Sequence, residues 1–99
     1  MERTMTVARL YECKGWSADQ YDLLIKTVDS TNGYDGQIWP GNLFHWASVT
    51  DDGILAVDVS ESVEVADRLA QEVLGPTVAE LGLPMPTVTQ YEVHNFLSR

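Results

Sequence analysis

The sequence is short of cysteine, of positive charge and of long apolar runs, and each shortage closes off a class of function. Cys13 is the only cysteine, so no internal disulfide can form, which fits a reducing cytoplasm. Lysine and arginine total six against fifteen acidic residues, a net charge of -9. No basic cluster exists to neutralise phosphates, which argues against nucleic acid and against anionic membranes. The opening segment "MERTMTVARLYEC" lacks the apolar core of a signal peptide, and no stretch is long enough to span a bilayer. A cytoplasmic protein kept soluble by an acidic surface is expected. There is no HExxH motif, no Cys/His cluster and no Gly-x-Ser-x-Gly elbow, and Gly33, Gly36 and Gly41 make no phosphate-cradling pattern. Neither a metal nor a cofactor is called for, and a lone histidine is thin support for haem. Cys13 itself reads as a small buried or strand-end thiol.

The 99 residues suit one domain, residues 1–99. Residues 4–13 alternate, with Met5, Val7, Arg9 and Tyr11 on one face and Ala8 and Leu10 on the other, which predicts a half-buried strand. "GWSADQYDLLIKTVDSTNG" predicts a helix. Ser17 and Gln20 form a capping box, Trp16 and Tyr21 a hydrophobic staple. Tyr21, Leu24, Ile25 and Val28 make one apolar stripe, and Gly33 ends it. A loop over 34–42 precedes a hairpin of strands 42–50 and 54–60. Val63, Ala66, Leu69, Ala70 and Val73 mark a second helix opened by Ser60 or Ser62, broken at Gly75-Pro76 and followed by a short helical piece to Leu81. The last strand is expected over 88–96. The order is β-α-β-β-α-β, an α+β ferredoxin-like arrangement with a four-stranded antiparallel sheet and both helices on one face.

The hairpin decides what faces that helix-free side. Leu55, Val57 and Val59 form an aliphatic row expected to face the helices, leaving Ile54, Ala56, Asp58 and Ser60 for the open face. A three-residue turn with Gly53 in the left-handed region pairs Trp46 with Asp58 and Phe44 with Ser60. Phe44 and Trp46 then lie on the open face, while His45 points under the helices with Leu43, Ala47 and Val49. A two-residue turn flips that parity and sets His45 against Asp58's row. Under the first register His45 reads as a hydrogen-bonded residue at the sheet–helix boundary. Two large aromatics on an uncovered sheet face form an apolar patch that monomers avoid. Tyr11, Tyr91 and Val93 are candidates to extend it. A homodimer closed through this face is expected, which either packs the patch as a solid dimer core or leaves between the two sheets a cavity for an apolar small molecule, lined by Phe44, Trp46, Ser60 and Tyr91.

The hairpin "FHWASVTDDGILAVDVSES", the segment "ADRLAQEVLGPTVAELGLPMP" and the closing "YEVHN" resemble small actinobacterial proteins of the dimeric α–β barrel superfamily, the antibiotic-biosynthesis-monooxygenase-like group. The likeness covers roughly residues 40 to 95. It implies a homodimer whose two sheets enclose a ligand-sized interior, and relatives that include cofactor-free monooxygenases of polycyclic aromatic substrates, haem-degrading proteins and muconolactone isomerase-type enzymes. Where such relatives carry Trp in "VWES", this chain has Ser60 in "VSES". Where they often carry Phe, it has Ala66 and Leu69. His45 and His94 match histidines of the pattern. The resulting enzyme reading is a cofactor-independent monooxygenase or isomerase in which Asp58, His45 or His94 takes a proton from a phenol-like group. The competing readings are a dimer that sequesters an apolar ligand without turnover, and an interaction module using loop 32–42 as a lid or contact.

Overall fold

The structure, a computed structural model, describes residues 5–34, 36 and 38–97. The predicted strand start at residue 4 and positions 35 and 37 of the long loop lie outside them. The elements are β1 (Val7–Lys14), α1 (Ala18–Asn32), β2 (Asn42–Thr50), β3 (Gly53–Ser60), α2 (Val63–Arg68), a π-helical segment (Leu69–Leu74), α3 (Gly75–Glu80) and β4 (Thr87–Glu92). The strands form one sheet in the order β2-β3-β1-β4, all neighbours antiparallel. This is the expected ferredoxin-like order.

Local chemistry accounts for the helix ends. Ser17 Oγ accepts from the Gln20 amide at 3.1 Å while Gln20 Oε1 accepts from the Ser17 amide at 2.8 Å. Two N–H groups that the first turn would strand are thereby satisfied. Gly33 closes α1 at φ 72°, its amide donating to the Asp29 carbonyl. Of the two serines that were open as caps for α2, Ser62 holds the position, its hydroxyl accepting from the Val65 amide at 3.1 Å.

Helical structure runs through Gly75-Pro76 rather than breaking there. Pro76 has no N–H and its ring would strike a carbonyl one turn back. The preceding turn widens instead: the Gly75 amide reaches back to the Ala70 carbonyl, and Gly75 keeps helical dihedrals of -56° and -51°. A glycine suits this spot, since a Cβ there would stand 2.8 Å from the Ala70 oxygen. β4 ends at Glu92, short of the expected Phe96.

The hairpin corrects the expected register. Thr50 pairs with Gly53, so the turn has the two residues Asp51 and Asp52, and His45 lies opposite Asp58, Trp46 opposite Val57. No residue other than glycine has positive φ among those described, and Gly53 is not left-handed either. Its task is close approach, because a Cβ would meet the Cys13 carbonyl oxygen at 2.2 Å.

The assignment of β3's faces is also reversed. Ile54 and Ala56 join Tyr11, Cys13, Leu24, Val28, Leu69, Val73 and Val78 in the core beneath the helices. Asp58 shares their parity and is buried, and Ser60 follows. Leu55, Val57 and Val59 therefore share the open face with Phe44 and Trp46. Hydropathy alone misled here because both faces of this strand are apolar, and the more aliphatic row belongs to the side without helices. The two reversals cancel for β2: Phe44 and Trp46 do lie on the open face, and His45 does point under the helices. Tyr11, a candidate for the open patch, is instead in the core, opposite Ala56, while Tyr91 lies opposite Ala8 on the open side.

Candidate active site

Tyr21, His45 and Asp58 meet where α1 crosses the edge of the sheet. The His45 Nδ1 bonds to Asp58 Oδ1, and the Tyr21 hydroxyl lies 2.5 Å from His45 Nε2. The phenol and imidazole rings are nearly parallel, 4° apart, with centroids separated by 6.2 Å. An ionised carboxylate only accepts. Nδ1 therefore carries a proton, and in the neutral imidazole Nε2 is left to accept from the Tyr21 hydroxyl. Burial, followed by the Asp58 charge, pushes the Tyr21 hydroxyl up to about 12, so it stays a protonated donor. Tyr11, deeper in the core, is likewise raised to about 12 by burial and then by Asp58.

This chain of groups opens onto a cleft of about 260 Å³ lined by Tyr21, Ile25 and Asp29 from α1, Gly36, Ile38 and Trp39 from the loop, and Asn42 and His45 from β2. A smaller cavity of about 50 Å³ continues inward, where Asp58 joins Tyr11, Cys13 and Trp16 in its wall. Trp39 closes the loop end. It is buried, its indole N–H donates to Asp29 Oδ1 at 2.8 Å, and its ring packs on Tyr34 at 6.0 Å.

Asn42 reaches this cleft through an irregularity in the strand. The β2–β3 register shifts between Asn42 and Phe44, so Asn42 pairs with Ser60 and Leu43 is the extra residue. Strict alternation would put Asn42 on the open face with Phe44 and Trp46. The bulge turns it to the helix side. There Ser60, only 2% exposed, donates to Asn42 Oδ1 at 2.9 Å. Among the described residues no buried side-chain nitrogen or oxygen lacks a partner.

The residues singled out in the sequence thus separate into two groups. His45 and Asp58 come together, and Ser60 stands behind Asn42. Phe44, Trp46 and Tyr91, at 38%, 40% and 57% exposure, are on the opposite side of the sheet and line neither cavity. Phe96 packs edge-on against Phe44 at 5.9 Å, and Val59, paired with Phe44, is only 6% exposed. His94 follows β4 on the far edge of the sheet, exposed and outside both cavities. Tyr21, Ile25, Trp39 and Asn42 are site residues that sequence reading missed as such. Tyr21, Ile25 and Asp29 recur every four residues on α1, so a polar end to an apolar stripe was the available signal. Asn42 had none, because a bulge reverses the parity that alternation predicts. Among the described residues no group of three or more His, Cys, Asp or Glu is placed to hold a metal ion, and no helix is long and apolar enough to cross a membrane.

Element order, sheet order and helix placement define the ferredoxin-like α+β class. Among solved structures, the chain is similar to SnoaB, a cofactor-independent oxygenase from Streptomyces nogalater, with a TM-score of 0.59 over 99% of this chain and 100% of that one. At 16% sequence identity the likeness is one of fold, and it fits the resemblance to the dimeric α–β barrel superfamily carried by the hairpin and closing motifs. No protein-family model and no curated protein matches the sequence.

Proposed function

We propose that the protein is a cofactor-independent monooxygenase that binds a flat, apolar compound carrying an acidic hydroxyl in the sheet–helix cleft. The observation that carries this reading is the Asp58-supported His45 at the wall of a mostly apolar cleft. Proton removal makes such a compound electron-rich enough to reduce O2 directly. For an activated CH2 group the balance is CH2 plus O2 giving C=O plus H2O, with one oxygen atom retained and no further reductant. His45 receives the proton, Asp58 stabilises the imidazolium and holds its orientation, and Ile25, Ile38 and Trp39 pack the rings. The structural likeness to an oxygenase of this type supports the reading.

The reading includes a homodimer closed through the open sheet face, where Phe44, Trp46 and Tyr91 would be covered. A reducing compartment such as the cytoplasm suits the buried, unpaired Cys13. The experiment is oxygen uptake with 1,8-dihydroxyanthrone after exhaustive dialysis against chelator. Uptake above the spontaneous rate, falling about 10²-fold or more in Asp58→Asn, is the expected result. Uptake no faster than in protein-free buffer, or unchanged in that variant, would rule the reading out.

A further inference from the structure

His45 is not itself the group that a molecule in the outer cleft would meet at its reactive nitrogen. Nε2 is already occupied by the Tyr21 hydroxyl. Tyr21 and His45 border both the outer cleft and the inner cavity, whereas Asp58 borders the inner one alone. Hydrogen bonds therefore link the groups in the order phenol, imidazole, carboxylate, with the carboxylate deepest. We propose that Tyr21 is the catalytic residue that exchanges protons with the bound compound, relaying to His45, and that Asp58 is a positioning residue acting through His45. This deepens, and rests on, the monooxygenase reading above.

The hydroxyl of Tyr21 donates to Nε2, so its oxygen has lone pairs free to accept from a second donor. When a bound hydroxyl donates to that oxygen, its O–H bond breaks as a new Tyr21 O–H forms. The original Tyr21 proton passes to Nε2 in the same step. One proton is transferred overall. The compound is left with one negative charge, and the imidazolium's positive charge faces the Asp58 carboxylate. No oxidant or reductant enters this step. The compound it serves is an aromatic or enolic hydroxyl, more acidic than an aliphatic alcohol, with its hydroxyl edge toward α1 and its ring toward Ile38 and Trp39. Burial and the nearby carboxylate keep Tyr21 itself protonated, which a relay requires and a tyrosinate would defeat.

The test uses 7-hydroxycoumarin, whose neutral and ionised forms absorb at different wavelengths. Wild-type protein is expected to bind it as the phenolate at a pH where the free probe is neutral. Tyr21→Phe should still bind it, with Kd raised by no more than about tenfold for the loss of one hydrogen bond, yet leave it neutral. Asp58→Asn should lower the ionised fraction without abolishing binding, a spectroscopic change that a merely structural role would not produce. A bound probe as fully ionised in Tyr21→Phe as in wild type overturns the relay and makes His45 the direct acceptor. A probe that binds wild type but stays neutral also overturns the relay while sparing the cleft as a binding site. Failure of the probe to bind wild type at all overturns the cleft reading and the relay together.

Discussion

Tyr11, Tyr21 and Cys13 all surrender water to the helix-covered side of the sheet, and each resists ionisation for that reason. Burial raises the Cys13 thiol from 9.0 to about 11, and the two tyrosines rise from 10.0 to about 12. An unfolded chain releases these protons at the lower values, a folded one only at the higher. Between about pH 9 and 12 the folded state therefore binds more protons, and its stability falls as pH rises. Below that window the contribution is complete. Urea midpoints should be flat from neutral pH to about pH 8.5 and then decline steeply. Tyr11, the more deeply buried tyrosine, accounts for on the order of 2–3 kcal/mol of that loss, and Tyr11→Phe should flatten the decline. Equal slopes in wild type and Tyr11→Phe would show that burial does not act on this hydroxyl. At this scale the sequence was partly legible. His45 was readable as a hydrogen-bonded boundary residue, whereas Asp58 was expected on the open face. Their pairing was contained only in the alternative register, because a strand's alternation says which residues share a face but not which face it is.

Among the elements, the β2–β3 hairpin and the second helix depart most from local expectation. Asp-Asp-Gly chemistry suits a turn with a left-handed glycine, yet Gly53 is needed for a different purpose, to let the Cys13 carbonyl approach. Gly53→Ala should therefore push β1 and β3 apart and lower stability by about 2 kcal/mol or more. Thermal unfolding measures it, and a melting temperature within error of wild type would show that the strand contact is not as close as described. Gly75-Pro76 has the chemistry of a helix breaker, and the chain absorbs it in a π-helical turn instead, since the Gly75 amide bonds one residue farther back than in an α-helix. By contrast α1 was legible almost to the residue. Its caps are local hydrogen bonds between residues three or four apart, which a sequence states directly.

For the whole molecule, the decisive surface is the side of the sheet without helices. It carries Leu55, Val57 and Val59 in addition to Phe44 and Trp46, and so is more apolar than the expected register implied. Phe96 meets Phe44, while Trp46 and Tyr91 remain exposed. A second copy covering this face would bury on the order of 800 Å² per partner, the scale of a specific interface. Light scattering at micromolar concentration should give the mass of a dimer, and Trp46→Glu should give a folded monomer with unchanged helical circular dichroism. A wild-type monomer at that concentration would refute the interface. The acidic surface, with net charge -9, also predicts that dimerisation strengthens with salt, as like charges on the two rims are screened.

By itself the sequence determined the order of elements, the caps of α1 and the presence of two apolar sheet faces, because periodicity, turn residues and side-chain hydrogen bonds act over a few positions. Only the tertiary structure decided which of those faces meets the helices, that a bulge brings Asn42 into the cleft, and that Tyr21, 24 positions before His45, closes on its imidazole. Those outcomes depend on how strands from distant parts of the chain pair and how a helix settles across them. Competing packings there differ by a one-residue shift, which the alternation of a strand apolar on both faces does not distinguish.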